Sequence, residues 1–556
     1  MRILSWVPAC LLLASGLHAQ RVTVTLLATT DLHGAIYPYD YYTSAPAQRG
    51  LAKIASLVGA VRHQTPNVLL IDCGDTIQGS PLESVYQQYL RTGRLPLGMT
   101  AGGAPLKQDP MMLVMNEMGY GAMVLGNHEF NFGLKNLEKA RSEARFPWLS
   151  ANTVAEPGGA VKPFQGYLVK TVGGVRIGII GITTPSIPSW ETPENYRGLK
   201  FRPGVEAAAD AIRELRGRER PDLTVAAVHA GLGKTDENMV TDIASRVPGI
   251  DAIVFGHSHQ REPGRMIGNV LVVQPQHYGA SLARLDFDME KQPQGWKPAA
   301  KRSELIPVRQ ETRADPRILE LASPYHEVAQ RYLDTPVAQS VADLDGSLGR
   351  VEDTALVDAI HEVQLHYAKA DVSFTALFNP RVRVPKGQVT VRQIAALYLY
   401  DNELYAVEGD GRMVKDALEN AARFYLSCRN PTCDHGPLLN RAIMGYNYDM
   451  AQGVTYEVDL TQPAGHRVRN LAYRGNPLDP DRKFRIAINN YRAAGSAGYD
   501  MFRRARILWR SNQDLRSLIV EYYSEKRRLP AEPDNNWRVI PDGARRTLQA
   551  EARSAP

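Results

Sequence analysis

GAMVLGNHEF, residues 121–130, carries an apolar run straight into a polar cluster. The same switch recurs in VTVTLLATTDLHG (22–34), NVLLIDCGD (67–75), VRIGIIGITTP (175–185), LTVAAVHAGLG (223–233) and IDAIVFGHSH (250–259). Short runs rich in Val, Ile and Leu read as buried strands, and the polar residues that follow are then delivered to strand ends. Between them lie helical patterns such as GLAKIASLVGAVRHQ (50–64) and GVEAAADAIRELRGRE (204–219). Strands and helices packed in layers follow, an α/β architecture with loops gathered at the strand ends.

The chain has 556 residues, more than one core usually supports, so at least two domains are expected. With 44% hydrophobic and 22% charged residues it has the composition of a globular protein, without a low-complexity tract. The formal charge of +6 suits an anionic substrate but is too small for a nucleic-acid platform, so no polymeric nucleic acid is required. MRILSWVPACLLLASGLHAQ (1–20) reads as a signal peptide cleaved after Ala19, implying export. An uncleaved anchor and lipidation at Cys10 are the alternatives; the apolar run is shorter than the ~20 residues of a bilayer span. In SCRNPTCDHG (427–436), Cys428 and Cys433 suit a local disulfide or, with Asp434 and His435, a metal. Cys73 reads as a small buried hydrophobe.

Downstream, Asp315 and Pro316 mark a helix start, which continues to about Leu333 with a kink expected at Pro324. Beyond it, helical TALVDAIHEVQLHYAKA (354–370) and GRMVKDALENAARFYL (411–426) alternate with strand-like VTYEVDLTQP (454–463) and FRIAINNYR (484–492), an α+β pattern. His361, Glu362 and His366 imitate a zinc-protease helix, but Leu365 occupies the position one turn after His361, so an ordinary helix is expected.

Five clusters carry chemistry: Asp31 with His33, Asp75, Asn127 with His128, His229, and His257 with His259. Singly, each has an ordinary use as a turn cap or a satisfied buried histidine. Together they offer carboxylate, amide and imidazole ligands without a thiolate, which suits a borderline-to-hard divalent cation and not a structural zinc site.

In this order, D-x-H, G-D, G-N-H-E and G-H-x-H resemble the signature of the calcineurin-like metallophosphoesterases. TTDLHGAIYPYDYY (29–42), IDCGDTIQGSPL (71–82), LYLYDNEL (397–404), YNYDMAQGVTYEVDLTQP (446–463), NNYRAAG (489–495) and DNNWR (534–538) extend the similarity to the bacterial periplasmic 2',3'-cyclic-nucleotide 2'-phosphodiesterase/3'-nucleotidases. The resemblance implies an N-terminal four-layer β-sandwich flanked by helices and a C-terminal α+β domain of the 5'-nucleotidase type. It divides the chain into a signal peptide (1–19), a catalytic domain (20–312), a linker helix (313–335), a nucleotide-binding domain (336–545) and a tail (546–556).

It further implies two divalent cations (Mn, Zn, Co or Mg), one on Asp31, His33, Asp75 and His259, the other on Asp75, Asn127, His229 and His257, with Asp75 shared. His128 then acts on the phosphoryl group or the departing ribose oxygen. Many 5'-nucleotidases orient this histidine with an Asp three residues on; here the position is Asn131. Tyr400, Asn402 and Tyr491 are the implied substrate-binding residues, the tyrosines stacking the base. Arg381, Arg383 and Arg392 are read as surface arginines. The implied activity opens 2',3'-cyclic nucleotides and dephosphorylates 3'-nucleotides, in a periplasmic monomer that needs no membrane; a 5'-nucleotidase or UDP-sugar hydrolase is the alternative.

Overall fold

The computed structural model describes residues 20–100, 106–157, 161–400, 402–428 and 430–554; the expected signal peptide, 1–19, lies outside them. Among the described residues no helix is long and apolar enough to cross a membrane.

The N-terminal half is built on two six-stranded sheets. In spatial order the first holds Gly295–Pro307, Ser281–Gln292, Arg21–Thr29, Val68–Asp72, Ala122–Val124 and Trp148–Leu149. The second holds Glu262–Ile267, Val270–Gln274, Ala252–Phe255, Leu223–His229, Val175–Thr183 and Tyr167–Val172. The central strands of each are parallel, with Thr25–Thr29 in register with Val68–Asp72 and Leu223–His229 with Ile177–Thr183.

Alternation along the strands explains the layering. Val24, Leu26 and Ala28 pack into a core between the sheets, where Val225 and Ala227 meet them. On the outer faces Leu27 packs against Leu51, Ile54 and Val58 of the helix Leu51–Gln64, while Ala226 and Val228 pack against Ala208, Ile212 and Leu215 of the helix Gly204–Arg218. Helix, sheet, sheet and helix form four layers. Each fully buried Val or Leu contributes roughly 1.5–3 kcal/mol.

The helix Pro316–Leu333 is capped by Asp315, whose side chain accepts from the backbone N–H of Arg317 and Ile318, and it continues past Pro324. It lies on the aromatic cluster of the first domain: His326 stacks on Tyr37 at 4.0 Å and its Nδ1 meets the Tyr41 hydroxyl at 2.9 Å. Arg392 is not at the surface, as the sequence reading had it. It is buried, and its guanidinium donates to Asp334, Gln330 and the carbonyl of Tyr41, so its planar fork ties the second domain to the helix end.

The C-terminal region pairs a five-stranded sheet (Asp449–Gln452, Val372–Ala376, Lys483–Asn489, Glu403–Asp410, Ile507–Asp514) with a four-stranded one (Asn476–Pro477, Val468–Tyr473, Thr455–Asp459, Trp537–Ile540). His361 is a core residue of the helix Ala355–Ala368, its Nδ1 3.0 Å from the Ser373 hydroxyl. Cys428 and Cys433 form a disulfide. Of the residues expected as a tail, 546–554 are helical: they belong to the helix Asp542–Ser554, which buries Leu548, and Glu551 accepts from the backbone N–H of Leu438 and Leu439.

Candidate active site

Parallel strands aligned in two facing sheets bring their carboxyl ends to one edge, the usual place for a site in such folds. Asp31, His33, Asp75 and Asn127 follow strands of the first sheet; His229, His257 and His259 end or follow strands of the second. Their donor atoms converge into two groups, Asp31–His33–His259 and Asp75–His229–His257, each within 4.8 Å. Asn127 joins the second, its Oδ1 2.9 Å from His257 Nδ1 and 3.2 Å from His229 Nε2.

The loops are strained to achieve this. Asp31, His33, Asp75, His257 and His259 all have left-handed backbone, with φ between 47° and 72°. That region is uncommon for residues with a side chain and persists where surrounding structure over-determines it. Glycine is needed beside them: a Cβ on Gly126 would lie 2.1 Å from Asp75 Oδ1. Glu129 draws two loops together, each carboxylate oxygen accepting two backbone N–H groups, Asp75 and Gly126 on Oε2, Thr76 and Ile77 on Oε1.

Tautomers follow from the outer partners. His33 Nδ1 meets the backbone and side-chain oxygens of Gln78, and His229 Nδ1 meets the Cys73 carbonyl at 2.7 Å; both nitrogens must donate, which leaves both Nε2 atoms as the inward-facing ligand positions. Close to them lie other metal-type donors: His33 Nε2 is 3.0 Å from His259 Nε2, and His229 Nε2 is 3.0 Å from Asp75 Oδ2. Burial pushes the His33 imidazole down to about 3, whereas at His229 burial is outweighed by the Asp75 charge, which lifts it to about 10. Imidazole nitrogens and a carboxylate gathered at such distances can share a cation in place of ring protons, and the donor types fit hard or borderline divalent ions. Cys73, buried and free, takes no part; its thiol donates to the Val254 carbonyl and burial pushes its pKa well up.

His128 stands beside both groups, its ring 5.3 Å from that of His33. Its Nδ1 is 2.6 Å from Asn131 Oδ1, Asn131 Nδ2 donates to Glu191 Oε2 at 2.8 Å, and Glu191 is buried.

Across the domain boundary, Tyr491 stacks on Trp190 with centroids 6.2 Å apart and planes at 11°. Asn490 donates to the Trp190 carbonyl, and Trp190 also lies 5.5 Å from the His257 ring. One cavity is lined by Asn127, His128, Trp190, Glu403, Asn490 and Tyr491. Tyr400, the other ring expected to stack the base, is 44% exposed and meets Phe378 and Tyr446 edge-on. Asn402 turns inward, buried, with its amide on the Tyr398 hydroxyl. Trp190 and Glu191 were missed by the sequence reading: they follow the strand Val175–Thr183, whose end supplies no metal-type residue. Glu129 lay within the GNHE motif, unassigned.

The chain is 29% identical to the trifunctional nucleotide phosphoesterase YfkN of Bacillus subtilis over 97% of its own length, but spans only 40% of that protein. It is 28% identical to the 2',3'-cyclic-nucleotide 2'-phosphodiesterase/3'-nucleotidase of Salmonella typhimurium, with 98% of this chain and 93% of that one aligned. A crystal structure from Staphylococcus aureus assigned as a 5'-nucleotidase superposes with a TM-score of 0.74 at 25% identity, covering 93% of this chain and all of the other. Residues 24–261, with their two sheets and their strand-end histidines and carboxylates, match the calcineurin-like phosphoesterases, and residues 334–504 match the 5'-nucleotidase C-terminal domain.

Proposed function

We propose that this protein opens 2',3'-cyclic nucleotides to 3'-nucleotides and then dephosphorylates them to nucleosides, using one site. The observation that carries the chemistry is the pair of abutting donor groups at the sheet edge, with His128 beside them and Tyr491 facing them from the second domain. The substrate rests on the relatives that bear this name over nearly the whole chain.

Asp31, His33, Asp75 and His259 would hold one cation and Asp75, Asn127, His229 and His257 the other. Bound there, two divalent ions supply charge stabilisation to the phosphoryl oxygens and lower the pKa of the attacking water. His128, its Nδ1 tied to Asn131, keeps Nε2 for the substrate, where it stabilises charge or returns a proton to the departing ribose oxygen. Trp190 and Tyr491 bind the base and keep water from that side of the cleft; Tyr400 is the second ring for the base and Asn402 a further substrate contact. The protein works as an exported monomer without membrane or polymer partner, and its Cys428–Cys433 disulfide suits an oxidising compartment.

Phosphate release from 2',3'-cyclic AMP, 3'-AMP, 5'-AMP and a UDP-sugar, each with Mn, Zn, Co or Mg, tests this reading. The first two are expected to be the better substrates. A 5'-nucleotidase is the second reading, favoured by the C-terminal domain match, and faster turnover of 5'-AMP than of 3'-AMP would establish it instead.

Tyr491→Ala removes one stacking surface, about 1–3 kcal/mol of base binding. The expected result is a rise in KM for 3'-AMP of roughly 5- to 150-fold. Hydrolysis of p-nitrophenyl phosphate, which has no base, should stay unchanged; an equal loss on both substrates would place Tyr491 in folding and not in recognition.

A further inference from the structure

We propose that Glu191 is the positioning residue of His128, fixing its tautomer and ring orientation through Asn131. The inference rests on His128 acting on the substrate as proposed above.

The chain of contacts leaves one assignment of protons. Glu191 is only 3% exposed and both its oxygens are engaged: Oε2 accepts from Asn131 Nδ2 at 2.8 Å, and Oε1 accepts from the Thr192 N–H and from Asn195 Nδ2, each at 2.8 Å. Burial raises the Glu191 carboxyl, and the N–H groups of Asn195, Thr192 and Asn131 oppose this by favouring the ionised form; with all three pointed at it the carboxylate accepts, so the Asn131 amide presents its NH2 to Glu191 and its oxygen to His128. An amide oxygen also only accepts, so at 2.6 Å His128 Nδ1 must donate. The ring proton is thereby held on Nδ1, and Nε2 becomes the nitrogen that exchanges a proton with substrate. Asn131 alone cannot do this, because a carboxamide can turn over and offer either end. Glu191 removes that freedom.

Two further contacts make the segment a fixed support. Asn195 Nδ2 also donates to the Asn131 carbonyl at 3.3 Å, and the neighbouring Trp190 carbonyl accepts from Asn490 of the second domain at 3.0 Å. The carboxylate that orients His128 is thus supplied one amide away and from the other sheet.

Glu191→Gln breaks the logic while keeping the shape, since its amide can pair with either end of Asn131. Combining it with Asn131→Asp exchanges the carboxylate and the amide between two isosteric pairs and restores a strict acceptor against His128 Nδ1. For the full chain with Mn, kcat on 3'-AMP should fall about 10- to 100-fold in Glu191→Gln, with little change in KM, and most of the loss should return in the double variant. On the metal-free protein, 15N NMR of the imidazoles should show His128 protonated at Nδ1 in the wild type, mixed tautomers in Glu191→Gln, and Nδ1 protonation again in the double variant. An unrescued loss, or an unchanged His128 tautomer in Glu191→Gln, overturns the assignment. The NMR arm needs no turnover, so a wild-type protein inactive on every nucleotide would defeat the proposed function and leave this inference to be decided by the tautomers.

Discussion

Replacing Asp75 with Asn or Ala is expected to abolish phosphate release from 2',3'-cyclic AMP and 3'-AMP alike. The carboxylate stands where both donor groups meet. Its Oδ2 faces His229 Nε2 at 3.0 Å, and its Oδ1 accepts from the His128 backbone N–H at 2.8 Å, so it touches the second donor group and the loop that carries His128. In the proposed mechanism it is also the ligand shared by both cations. Losing a bridging anion forfeits several kcal/mol of charge stabilisation at the phosphoryl group. A loss of about 4 kcal/mol corresponds to roughly 10³-fold in rate, a lower bound because His229 would also lose the charge that orients it. Asp75→Asn keeps volume and one acceptor oxygen, and a melting curve like that of the wild type separates its inactivity from unfolding. Chelation of the wild type should produce the same loss, reversed by adding metal, and calorimetric titration should show fewer than two sites in either variant. Turnover within tenfold of wild type in Asp75→Asn would remove the bridging role and the shared site with it.

The parts of this fold that were legible in the sequence are those set by short-range periodicity. Val24, Leu26 and Ala28 alternate with Leu27 and so announce a strand buried on both faces, and the polar residues after such a strand have nowhere to go but its end. Seven residues at strand ends were therefore readable as one cluster, although the left-handed backbone of five of them was not, because Asp and His visit positive φ more often than most side chains but far less readily than glycine. What escaped were features created by contacts distant in sequence. Trp190 and Glu191 belong to the site only because their sheet faces the other. The helix Asp542–Ser554 has a thin apolar stripe and reads as a tail; it docks through Glu551 on two backbone N–H groups, an interaction with no local signature.

Glu129→Ala is expected to be the most destabilising single change at the site and to empty it of metal. Glu129 is fully buried, and the four backbone N–H groups it accepts come from Asp75, Thr76 and Ile77 on one loop and Gly126 on the next. These are the loops that carry Asp75, Asn127 and His128. Burial, with the Asp75 charge beside it, pushes the Glu129 carboxyl upward, and the N–H groups from Thr76 and Asp75 oppose that by favouring the ionised form. Each buried donor left without a partner costs about 1–3 kcal/mol; with water entering the cavity, the net loss should be about 3–5 kcal/mol. Glu129→Gln separates the carboxylate from mere volume. Its amide has one acceptor oxygen for four donors, and its NH2 would point at two backbone N–H groups, so it too should melt earlier and bind less metal. Glu194, 69% exposed in its pairing with Arg197, is the control: neutralising it should change stability by no more than ~1 kcal/mol. Thermal unfolding and metal content measured on the three variants decide the matter. If Glu129→Gln keeps wild-type stability and two metals, the N–H groups are not what Glu129 holds, and the strain at Asp75 must be maintained by the glycines around it alone.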